Sequence, residues 1–364
     1  MSKPSTSPIS SQAMMTTLSE MLLSQDARSL HSAMLRNQSR EDFDALLNLA
    51  HHNHVVVRAM EVYANIMLAE QDDIRVGWAV SSIAAEHARI ARATGFLRII
   101  SDAFDEEDLD LTVIKSLDHW PDFGSDIDLY SNATSQAICA LMQKRFAASL
   151  DSRSWGDRLA SKWNFIIPGL PESVEVHIGR LGQTGEQLVL ASRLPGRSRK
   201  LEFEGQYFCV PSVSDRLMIS TLQRMYRHFY FRLCDIVDSA SLVDSVSIDY
   251  DDLKSSSQAS GIWEGVATYL VLVSDYVHRF RGTVLQLPVF VKDAARFDGS
   301  TMHVGGGFLR VPILPQSAAL YGSQFAGLLR RRELESSARL GLLPWLATAA
   351  AIGHKITGSD KGIW

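Results

Sequence analysis

The hydrophobic period of this chain changes twice along its length, and each change limits which elements can be neighbours. From Met14 to Phe104 apolar residues return every three or four positions, as in Leu18, Met21 and Leu22, or Val56, Met60, Tyr63 and Met67, the spacing of helices with one buried face. Asn37 or Ser39 ahead of Glu41 predicts a helix start. Between about 109 and 210 the texture becomes short β-branched runs, predicting strands over 111–115, 126–130, 164–167 and 174–178 and a hairpin over 201–210 around Gly205. A helix over 134–150 interrupts them. After Pro211 the helical period returns in Leu217, Met218, Leu222, Met225, Tyr226, Phe229 and Leu233, with further helices near 235–245 and 262–280. Runs at 285–291 and 308–314 are expected as proline-interrupted strands, with Gly305 to Gly307 as a flexible turn. The expected organisation is a disordered tail (1–12), a helical region (13–108), an α/β core (109–210) and a mainly helical region with a short β segment (211–364).

Composition excludes several classes. With 364 residues, 46% hydrophobic and 21% charged, core size is not limiting, and neither wholesale disorder nor a fibrous repeat fits. A formal charge of -5 supplies no global field for a polyanion, which counts against nucleic acid as a partner. Cys139, Cys209 and Cys234 are scattered and lack C-x-x-C spacing, so neither a disulfide framework nor a zinc motif is signalled. The start lacks the apolar core of a signal peptide. The apolar stretch 341–353 is shorter than the roughly 20 residues of a membrane span and is interrupted by Pro344, so a buried terminal helix is expected. A cytoplasmic protein without membrane contact is the expectation.

The chemistry concentrates in residues 113–130. On a strand Asp126 and Asp128 share one face while Ile127 and Leu129 bury on the other. Two like charges so close call for a hard divalent cation with oxygen ligands, most often Mg²⁺; the alternative is an edge strand with two solvated aspartates. Val174-Glu175-Val176-His177-Ile178, 47 residues past Asp128 counted to Glu175, repeats the alternation and offers a third carboxylate from a second strand. Such a trio suits a two-metal site for phosphoryl chemistry. His177 faces the same way, as a group behind the ligands or toward substrate, or as a half-exposed strand histidine. Three basic segments compete as phosphate contacts. Arg193, Arg197, Arg199 and Lys200 read as a mobile loop, Arg330 to Arg332 as exposed, and Arg224, Arg227, His228 and Arg232 as a helical stripe able to face a cleft. His51-His52-Asn53-His54 lacks partners at ligand spacing and reads as a loop start.

Ser116 followed after nine residues by Asp126-Ile127-Asp128 is similar to the signature of the polymerase-beta-like nucleotidyltransferase superfamily. More closely, Ile114-Lys115-Ser116, Trp120-Pro121, Ser125 to Leu129 and Val174 to His177 resemble an uncharacterised nucleotidyltransferase family with the pattern Lys-Gly, Tyr-Pro, Asp-Ile-Asp-Leu-Leu and Asp-Leu-His. The resemblance extends through the hairpin to Arg232-Leu233-Cys234-Asp235-Ile236, roughly residues 109–243.

It implies an α+β fold with a polymerase-beta-like core, a small mixed sheet and flanking helical regions. It further implies that Asp126 and Asp128 bind metal, with Glu175 as a third ligand or general base. Lys115 and Ser116 would approach the nucleotide phosphates, and Ser125 and His177 complete the expected binding set. The function implied is Mg²⁺-dependent transfer of an NMP from an NTP to a hydroxyl or phosphate acceptor, small molecule or protein, with Mn²⁺ as the alternative ion. Alternatives are a catalytically inactive nucleotide-binding module and an enzyme that attaches AMP or UMP to proteins. Three departures matter: Ser116 replaces glycine, residues 117–125 contain no arginine, and Glu175 stands for aspartate.

Overall fold

The computed structural model describes residues 10–24, 35, 37–245 and 248–346. Among the described residues four helices precede the first strand: α1 (Ser11–Leu23), α2 (Arg40–His52), α3 (Val56–Ala69) and α4 (Asp73–Glu106). Ser39 caps α2 in a reciprocal capping box with Asp42, satisfying amides that would otherwise lack partners. At 34 residues α4 spans about 50 Å. The expected tail is shorter than read from composition: Ser10 caps α1 and residues 11 and 12 lie inside it, while 1–9 fall outside the described residues.

The central segment runs β1 (Thr112–Val113), β2 (Asp126–Ser131), α5 (Ser135–Phe146), β3 (Ser149–Leu150), α6 (Trp155–Leu159), β4 (Lys162–Ile166), β5 (Ser173–Ile178), α7 (Leu188–Arg197), β6 (Arg199–Phe203) and β7 (Gln206–Val210). Five of these strands form a mixed sheet in the order β1-β2-β5-β4-β3, in which only β2 and β5 pair in parallel. The chain is therefore α+β with small mixed sheets. Ile127, Leu129, Val174 and Val176 are fully buried on the inner face with Ile90, Leu97 and Phe104 of α4 and Ile138 and Met142 of α5. Each such side chain contributes about 1.5–3 kcal/mol over leaving it exposed. The hairpin forms as expected, with Glu204 and Gly205 both at positive φ (48° and 78°) in its two-residue turn.

The last third comprises α8 (Val213–Thr221), prolonged by a wider-wound turn over Leu222–His228, then β8 (Tyr230–Phe231), α9 (Leu233–Ser245), α10 (Tyr250–Ala259), α11 (Trp263–Arg281), α12 (Val289–Ala294), β9 (His303–Gly305), β10 (Phe308–Arg310), α13 (Ala318–Arg330) and α14 (Leu334–Gly341). Strands β8, β10 and β9 form a second sheet. One apolar core joins α1, α2 and α3 to α8, α9 and α11.

Four sequence expectations are corrected. Residues 193–200 are not a loop: Arg197 ends α7 and pairs with Asp215 and Asp252, and Arg199 and Lys200 begin β6. Residues 285–291 form no strand, because no strand pairs alongside them; Leu285 donates its N–H to Ser274 Oγ and Pro288 introduces α12. The strand expected at 308–314 stops at Arg310, and a helical turn over Ile313–Ser317 follows Pro312. Residues 341–346 are exposed or half-buried, with Trp345 75% exposed, and 347–353 lie outside the described residues. Among the described residues no helix is long and apolar enough to cross a membrane.

Candidate functional site

Parallel pairing of β2 and β5 places Asp128 directly opposite Glu175, and Asp126 opposite Ser173. Because both strands bury their aliphatic residues on one face, the two acids and Glu175 emerge on the other. Ligand atoms of Asp128, Glu175 and His177 lie within 4.8 Å of one another; Asp126 is outside that closest group.

The chain before β2 leaves β1, turns at Lys115 (φ 76°) and passes the cis Trp120–Pro121 peptide. The turn brings Lys115 Nζ 2.5 Å from Asp128 Oδ1. Ser116 is buried: its Oγ accepts the Asp128 N–H at 2.8 Å and donates to the Asp126 carbonyl at 3.4 Å. Its hydroxyl thus staples the turn to the acid strand. Ser125 Oγ donates to Asp126 Oδ2 at 3.1 Å. From α4, Arg89 donates to the carbonyls of Phe123 and Gly124, fixing the loop from the outside.

Glu175 is held by two groups. Lys162 Nζ, which also pairs with Asp157, donates to Oε2 at 2.9 Å, and His177 Nε2 lies 2.8 Å from Oε1. Burial keeps His177 neutral, so its Nε2–H donates. Burial raises Glu175, but the His177 hydrogen bond and the Lys115 and Lys162 charges outweigh it, holding the carboxyl well below the usual range. Asp128 goes the other way: burial, reinforced by Glu175 and Asp126, exceeds the attraction of Lys115 and pushes it up to about 7. Asp126 is likewise raised, by burial first and Glu175 second.

A cavity of about 180 Å³ opens over these acids. Lys115, Ser116, Ser125, Asp126, Asp128 and Glu175 line it from the sheet side, and Arg224, Arg227, His228 and Arg232 from the helical side. His177 stands behind Glu175 and faces a smaller neighbouring cavity. All seven residues singled out on sequence grounds therefore meet in one region, and the stripe after Pro211 faces them. Arg224 is 1% exposed, with Nε 2.7 Å from Asp235 Oδ2. Arg224 Nη1 and Arg232 Nε are buried without a hydrogen-bond partner. Buried donors left unpaired are costly and mark a place where an anion would be welcome.

Sequence reasoning missed Lys162, His54 and His119. Lys162 was detectable: it shares its strand face with Asn164, whose register partner is Glu175. A strand begun at 164 leaves it out. Among the described residues Cys139, Cys209 and Cys234 are free thiols. No family model, curated protein or solved structure matches this chain.

Proposed function

We propose that the chain is a divalent-metal-dependent nucleotidyltransferase of polymerase-beta-like type, moving an NMP from an NTP to an acceptor hydroxyl or phosphate. The observation that carries this reading is the pairing, across one cavity, of three converging carboxylates with buried arginine donors that have no partner. The donor set fits Mg²⁺: Asp126, Asp128 and Glu175 offer only hard oxygens, and each carboxylate retains lone pairs beyond those used by Lys115, Lys162 and His177. When bound, the ion would activate the acceptor oxygen and stabilise charge on the leaving pyrophosphate.

The chain's own residues supply the rest. Arg224, Arg227 and Arg232 take the triphosphate, replacing the arginine missing from residues 117–125. Lys115, whose ammonium lies on Asp128 in the cavity wall, would place positive charge beside the phosphates. Ser116 keeps Asp126 and Asp128 in register. The acceptor oxygen bonds to the α-phosphorus, the bond from that phosphorus to the bridging oxygen breaks, pyrophosphate leaves and the acceptor proton passes to water. Glu175 serves better as a ligand than as a base, because its partners hold it ionised and weakly basic.

The test is transfer from α-labelled NTPs to protein and small-molecule acceptors with Mg²⁺. Label transfer that disappears in Asp128→Asn supports the reading. Transfer unchanged in that variant overturns it, and Mg²⁺-dependent NTP binding without turnover on any acceptor favours a non-catalytic binding module instead.

A further inference from the structure

We propose that His54, His119 and Cys234 form a second metal site, in the wall of the same cavity, that takes a borderline-soft divalent ion, Zn²⁺ by preference. Their ligand atoms lie within 4.8 Å of one another, and Cys234 Sγ is 3.9 Å from His119 Nε2. In a tetrahedral site with Zn–N of about 2.0–2.1 Å and Zn–S of about 2.3 Å, neighbouring ligand atoms are about 3.3–3.7 Å apart. Small side-chain rotations close the difference. Two imidazoles and a thiolate select zinc-like ions over Mg²⁺.

The surroundings are built as the outer layer of such a site. Asp238 Oδ2 lies 2.6 Å from His119 Nδ1 and is itself held by Arg58 Nη1 at 2.7 Å, the carboxylate–imidazole arrangement that orients metal-binding histidines. Asn53 joins the other two ligands: its carbonyl accepts the Cys234 N–H at 3.2 Å, its Oδ1 accepts the Leu233 N–H at 3.0 Å, and its Nδ2 donates to the Leu49 and Gly307 carbonyls. His54 follows the α2 C-cap in the left-handed conformation that ends the helix (φ 52°), with the Val55 N–H closing on the Ala50 carbonyl at 3.1 Å, so the end of α2 fixes its position. Arg232 Nη1 lies 3.4 Å from His54 Nδ1, on the cavity side of the ring. His54 and His119 line the cavity while Cys234 is 0% exposed behind them, so the fourth position opens toward the cavity for water or a phosphate oxygen. The same burial denies Cys234 the approach a covalent nucleophile needs, although His119 and Asp238 follow it in triad order.

The proposal is independent of the nucleotidyl-transfer reading. The full chain, stripped with chelator, is titrated with Co²⁺ and read by absorption. Expected are one equivalent of tetrahedral cobalt and a thiolate-to-cobalt charge-transfer band, retained in a Cys139→Ser/Cys209→Ser double variant and in Asp128→Asn, and lost in Cys234→Ser. His54→Ala, whose folding is checked by circular dichroism, should weaken binding at least about tenfold, so that the test stands if Cys234→Ser does not fold. Absence of the band in the wild-type chain, or its persistence in Cys234→Ser, or unchanged affinity in His54→Ala, overturns the site.

Discussion

At Asp128 burial and two neighbouring acids act against one lysine, and the balance falls toward the protonated form. The folded carboxyl titrates at about 7 while the unfolded one titrates at its ordinary value of 3.8, so the folded state binds more protons between those limits. This group therefore lowers stability as pH rises from about 4 to about 7. Asp128→Asn removes the repulsion and should stabilise the metal-free protein on the order of 1–3 kcal/mol at about pH 8, read by denaturant unfolding, while lowering label transfer at least about a hundredfold. Because a cation must displace that proton, Mg²⁺ affinity should rise up to about tenfold per pH unit below about 7 and flatten above it, measured by calorimetry. A pH-independent affinity would contradict the coupling of Asp128 to the ion.

The second half of the cavity is supplied by the turn that prolongs α8. Both of its arginines line the cavity, and Arg224 holds Asp235 as well. Arg224 is buried against Asp235, so Arg224→Ala leaves a buried carboxylate unpaired and should cost about 3–5 kcal/mol in unfolding free energy. Arg227 lines the cavity while half-buried, and Arg227→Ala should raise KM for the NTP several-fold or more with kcat less affected, as for a group that holds the ground-state phosphates. Steady-state kinetics over NTP concentration separates the two. At this scale the sequence was most informative where one period ran unbroken. The alternation in β2 and β5 put Asp126, Asp128, Glu175 and His177 on one face, and the stripe after Pro211 pointed its arginines at them. It failed at α7, where Pro195-Gly196 in the last turn looked like a loop although Leu190, Ala191 and Leu194 are buried at helical spacing. It failed again at 285–291, since an apolar run becomes a strand only if a neighbour offers its edge.

In the whole molecule the acids belong to one core and the arginines to the other. The sheet, α4 and α5 share an apolar cluster; α1 to α3 and the helices after Pro211 share the second, and the cavity opens where the two meet. An ionic bridge crosses the join: Arg58 of α3 pairs with Asp122 of the loop before β2 and with Asp238 of α9. Local periodicity shows that both groups of elements exist but carries no signal for this junction, which depends on contacts between residues 64 and 180 positions apart. His54 and His119, which the sequence did not bring together, meet there through those contacts. A ligand spanning both halves stabilises the assembly by linkage, about 2.7 kcal/mol at a hundredfold excess over Kd. Mg²⁺ and an NTP together should therefore raise Tm more than the sum of their separate effects. The most direct measurement of the central claim is Mn²⁺ binding by electron paramagnetic resonance to the full chain, to Asp128→Asn and to Glu175→Gln, with and without a non-hydrolysable NTP. Tight binding that NTP strengthens and that both substitutions weaken at least about tenfold is the predicted result; Mn²⁺ affinity unchanged by either substitution would contradict the account.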